Sequence, residues 1–69
     1  MALISFTNTH NQDIYVNPAQ VLYVAPFEDE VTVIAFAVIG SGGKPLTLYV
    51  RGGIEWVQQR LSGKAARAA

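Results

Sequence analysis

Val31 to Ile39, VTVIAFAVI, carries no charge over its whole length, in a chain of only 69 residues. A strand with one wet face alternates apolar with polar residues, and this run does not. Taken as a strand, it presents Val31, Val33, Ala35, Ala37 and Ile39 on one side and Thr32, Ile34, Phe36 and Val38 on the other. Both sides are apolar, so both call for a cover. The run is about half the ~20 residues that a membrane-spanning helix needs, so no membrane role is expected.

The rest of the chain offers little to cover it with. Leu3 to Thr7 reads as a first strand, with Ile4 and Phe6 on one face, and Asp13 to Val16 as a second. The polar cluster Asn8 to Gln12 between them has the composition of a hairpin loop. Asn17-Pro18 predicts a single capped turn. A third strand follows from Val21 to Ala25, ended by Pro26, and Phe27 to Glu30 forms an acidic turn. Gly40 to Pro45 (GSGGKP) joins the long run to Leu46–Val50 as a loose hairpin, with Leu46, Leu48 and Val50 sharing a face. After Arg51-Gly52-Gly53, Ile54, Val57 and Leu61 fall at i, i+3 and i+7, the stripe of one short helix.

These elements predict an α+β, mainly β fold: an antiparallel sheet of about five short strands with one C-terminal helix. Residues 1–63 form a single small domain and 64–69 (KAARAA) a flexible tail. One helix covers one face of the sheet. The other face is expected to be covered by another copy, so the chain is read as a homo-oligomer, dimer or higher.

Composition narrows the rest. There is no cysteine and one histidine, His10. A disulfide staple and a Cys- or His-rich metal site are therefore excluded, and no cofactor is expected. Domains this small that lack both staples often rely on oligomerisation. The N-terminus lacks the basic and long apolar regions of a secretory signal, so a soluble, cytoplasmic protein is expected. Charge is balanced but uneven. Residues 1–43 carry four acids and no Lys or Arg, while 44–69 carry five cations (Lys44, Arg51, Arg60, Lys64 and Arg67) against Glu55. Such asymmetry favours pairing between copies, or contact between the basic part and nucleic acid.

No residue set supports catalysis. His10 has no nucleophile in an activating context, and Asp13 beside it reads as a loop neighbour. Gly40 to Lys44 lacks phosphate-loop spacing and is followed by a strand rather than a helix. Glu28-Asp29-Glu30 lacks the ligand spacing of a calcium loop. Two sets remain as candidates. Arg51, Gly52 and Gly53 stand at a helix start, where free N–H groups and a cation suit an anion. Ile34, Phe36, Val38, Tyr49 and Trp56 are the candidate interface residues.

Tyr15-Val16-Asn17-Pro18, the apolar strand from Val21 to Ala25, the acidic turn, the paired strands and the closing helix from Ile54 to Leu61 resemble the FlbD family of small flagellar proteins, over roughly residues 3 to 61. The GSGGKP loop, Gly52-Gly53 and the Ala-rich tail depart from that pattern. The resemblance implies a bacterial, non-enzymatic regulatory or assembly module and transfers no site residue. KPLTLYVRGGIEWVQQRL is also similar, more faintly, to the strand-then-helix layout of the carbon-storage regulator family of small RNA-binding dimers. The function expected is a regulatory or accessory module acting through protein–protein interaction and self-association, with an unknown protein partner besides itself. The alternative is a small RNA- or DNA-binding regulator using the basic C-terminal part.

Overall fold

A computed structural model describes residues 3–62. Five strands and one α-helix follow in the order β1 (Ile4–Thr7), β2 (Asp13–Val16), β3 (Val21–Glu28), β4 (Val31–Ile39), β5 (Pro45–Arg51) and α1 (Ile54–Ser62). The fold is mainly β with a C-terminal helix, and every strand pairing is antiparallel. The strands do not make one sheet. β1 and β2 form a hairpin, and β3-β4-β5 form a second sheet with β4 at its centre. A single bridge, Asn8 to Val50, joins the two. Beyond that bridge the hairpin turns across the larger sheet, because Phe6 and Val16 have to reach its inner face. Both are buried there, 3% and 2% exposed. The tail 64–69 lies outside the described residues.

Asn8 organises the hairpin loop. Its side-chain oxygen accepts from the N–H groups of His10 and Gln12, both at 2.9 Å, and its amide donates to Gln12 Oε1 at 2.9 Å. Asn11 takes a left-handed conformation, φ 63°, which asparagine tolerates better than most residues. We expect Asn8→Ala to cost about 1 kcal/mol, the net worth of its loop bonds, since the exposed N–H groups it releases turn to water. Chemical denaturation checks this, with a loss below about 0.5 kcal/mol as the contrary result. At Asn17 the expected cap forms: Oδ1 accepts from Ala19 N–H at 2.9 Å, ahead of a 3-10 turn over Pro18–Gln20.

Pro26 does not end the third strand, which continues to Glu28. β3 is an edge strand, and the register shifts between Pro26 and Glu28, so the missing N–H costs no ladder bond. The acidic turn thus shrinks to Asp29-Glu30, with Glu30 at φ 58°.

On β4, Thr32, Ile34 and Phe36 face inward, and Val50, Leu48 and Val24 pair beside them. α1 lays Val57, fully buried, onto this face, with Leu61 packed at the margin of the same core. The core is therefore Phe6, Val16, Ile34, Phe36, Val50 and Val57. Each such apolar side chain contributes about 1.5–3 kcal/mol on full burial. Thr32 is the one buried polar residue among those described, and its hydroxyl donates to Gly52 O at 2.8 Å. Burial holds along β4 only as far as Phe36, and Ala37, Val38 and Ile39 project past the cover.

Candidate interaction face

The outer face of β3-β4-β5 is built by register. Tyr23 lies opposite Ala35, Ala25 opposite Val33, Val33 opposite Tyr49, and Ala35 opposite Thr47. Small side chains on the central strand form a floor, and larger ones on both flanks stand above it. Ala35 is fully buried between Tyr23 and Thr47, while Tyr23 and Tyr49 remain 55% and 40% exposed. Phe27 completes the patch. Its ring meets the Tyr49 ring edge-on with centroids 4.7 Å apart, and it is 56% exposed. Edge-to-face aromatic pairs hold a fixed geometry, so this part of the face is preformed. α1 and strands β1 and β2 pack on the opposite side of the sheet, while the β1–β2 loop reaches round β5 so that Thr9 lies beside Phe27 and Tyr49 at one corner of the patch.

The five candidate interface residues do not come together. Ile34 and Phe36 are in the core, 0% and 8% exposed, because the hairpin and the helix cover the side of β4 to which they belong. Val38 is exposed at the far end of β4, beside an apolar groove of about 230 Å3 lined by Tyr15, Phe36, Leu46 and Leu48. Trp56 stands on the helix, edge-on to Phe6 with centroids 5.9 Å apart. Tyr49 alone belongs to the outer face. Tyr23 falls within the strand expected from Val21 to Ala25 without joining the candidate set, and ending that strand at Pro26 leaves Phe27 in the turn. Continuing the alternation from Tyr23 through Ala25 to Phe27 would have found them.

The anion set is also rearranged. Arg51 Nε donates to Asn11 Oδ1 at 3.1 Å and its Nη2 to Thr9 O at 3.4 Å, so the guanidinium is spent on the β1–β2 loop. The Gly52 N–H donates to Glu30 O at 2.7 Å. The Glu30 carboxylate stands beside Gly53, on the helix N-terminus where an anion would have bound. Arg60 is likewise engaged within the chain. Its Nη2 donates to Ser5 O at 2.7 Å, and its guanidinium lies over the Phe6 and Trp56 rings at 5.4 and 5.1 Å. These contacts tie the last turn of α1 to β1 at Ser5 and Phe6. Among the described residues no three His, Asp or Glu side chains gather as a metal site, and no helix is long and apolar enough to cross a membrane. No protein-family model matches the chain, and neither a curated protein nor a solved structure resembles it.

Proposed function

We propose that this protein is a small non-enzymatic regulatory or accessory module that acts by docking its outer sheet face onto protein, a second copy of itself included. The observation that carries this is an apolar, aromatic sheet face on the side of β3-β4-β5 that faces away from the helix and the core. Tyr23, Phe27 and Tyr49 are each about half exposed over the Val33 and Ala35 floor. An apolar patch of a few hundred Å2 is about the largest that a monomeric protein ordinarily exposes, and such patches often serve in docking. The resemblance to FlbD-like flagellar proteins points the same way, toward an assembly or regulatory role.

Tyr23→Thr/Phe27→Thr keeps strand propensity while removing two rings. We expect the wild-type chain to sediment at twice the monomer mass or more at micromolar concentration, and the double variant to need at least about tenfold more protein. Equal association of the two would remove the outer face from the proposal.

The competing reading is a nucleic-acid binder using Lys44, Arg51, Arg60, Lys64 and Arg67. Two observations weigh against it. Arg51 and Arg60 are held by contacts within the chain, and Glu28 stands next to the aromatic patch, where it repels phosphate. Retention on RNA or DNA at low salt that falls steeply as salt rises would reverse this ranking.

A further inference from the structure

We propose that the occupant of the outer face is a second copy of this chain laid on it antiparallel, so that the Glu28–Glu30 turn of each copy meets Lys44 of the other. This rests on the docking role proposed above and specifies its partner and geometry. The argument starts from where the fold puts charge. β4 separates two ends of the sheet. Glu28, Asp29 and Glu30 stand at one, and Glu55, in the first turn of α1, follows Gly53, which lies beside Glu30. Arg51 is the one cation of the described residues at that end, and it is turned onto the β1–β2 loop. Lys44 lies in the β4–β5 connection at the opposite end. Among the described residues, acids therefore gather at one end of the strands and Lys44 stands at the other.

Area makes that separation of charge matter. At about 200 Å2 for a full aromatic side chain, Tyr23, Phe27 and Tyr49 together offer about 300 Å2. The smaller residues around them raise the face to about 400 Å2 per copy. Two copies would bury about 800 Å2 in total, below the ~1,200 Å2 of a standard stable interface. A contact that small is weak, so its register is open to charge. Stacked sheets keep their strands roughly aligned, and a two-fold axis gives two ways to do so. One brings acidic turn onto acidic turn. The other brings each acidic turn onto a lysine, and only this one is electrostatically favourable.

Carbodiimide coupling, which joins an amine to a carboxylate in direct contact, tests the arrangement on the natural sequence. Within one chain Lys44 and Asp29 are separated by the length of β4, about 26 Å at 3.3 Å per residue, so a bond between them has to cross copies. Mixing light and 15N-labelled protein marks such bonds by mass. The expected result is a covalent dimer joined from Lys44 to Glu28, Asp29 or Glu30. E28K/D29K should weaken association about tenfold, and adding K44E should restore it. A dimer whose links omit Lys44, or a charge reversal that K44E fails to rescue, overturns the antiparallel arrangement and leaves the docking role standing. A wild-type chain that stays monomeric at 100 micromolar (about the upper range of such weak contacts) overturns this pairing, and removes self-association from the docking role as well.

Discussion

Replacing Gly52 by alanine is expected to destabilise the domain by about 3 kcal/mol, and the same change one residue later to do little. Gly52 has φ 126°, a backbone conformation that L-residues with a Cβ rarely adopt, at a cost of about 1–3 kcal/mol. The added methyl would also overlap Cε3 of Trp56 and lie 2.7 Å from its Cζ3. Trp56 has little room to retreat, because Phe6 meets its ring on edge and Arg60 lies over it. The glycine is further fixed by two hydrogen bonds, its N–H to Glu30 O and its carbonyl from Thr32 Oγ1. Gly53 differs on each count. Its φ is outside the positive range, and a methyl there would meet only Glu30 Oε2 at 3.8 Å. In a domain this size a loss of 3 kcal/mol lowers Tm by about 12–24 °C. Melting G52A and G53A at one fixed protein concentration tests the contrast, and equal Tm values would show that Trp56 yields without cost.

That pair of glycines shows where sequence was informative and where it ran out. A break between strand and helix was legible from Arg51-Gly52-Gly53, and so was the helical stripe of Ile54, Val57 and Leu61. What Gly52 is for was not, since nothing local announces that a tryptophan four residues later folds back onto it. The strands followed the same division. Periodicity placed β1, β2, β4 and β5 within a residue or two at each end, and grouped Leu46, Leu48 and Val50 on one face of β5, of which Leu46 is 45% exposed. Pairing between distant strands is a different kind of information. The hairpin's turn onto the inner face rests on one bridge, Asn8 to Val50, between residues 42 apart, so a single flat sheet was the simpler expectation. The error at Pro26 was of a third kind. A proline that would end a central strand is harmless on an edge, and edge position is not readable from local pattern. Both misreadings bear on the candidate face: the first credited the helix with work the hairpin shares, and the second hid Phe27.

Ile34→Ala is expected to remove about half or more of the folding free energy, while Ile39→Ala on the same strand leaves it nearly unchanged. Ile34 is fully buried, with Val24 and Leu48 beside it in register and the core of Phe6, Val57 and Val50 around it. Truncating a side chain so placed costs about 2–5 kcal/mol, because the surrounding elements close only part of the cavity. A domain of this length has about 3–10 kcal/mol in total. Ile39 is 65% exposed at the end of β4, where it projects past the cover, and its loss stays within about 0.5 kcal/mol. The two residues belong to one charge-free run, so hydrophobicity alone would rank them equal, and their place relative to the cover of hairpin and helix separates them. Urea titration reads the difference as a lower midpoint for I34A with little change in slope. Protein concentration supplies a second axis. If the outer face binds another copy, folding is linked to association, and the I34A midpoint should climb as concentration rises from 1 to about 100 micromolar. A midpoint fixed across that range would mean that the face contributes nothing to holding the chain folded. Equal losses in I34A and I39A would mean that the inner face is not where the stability of β4 resides.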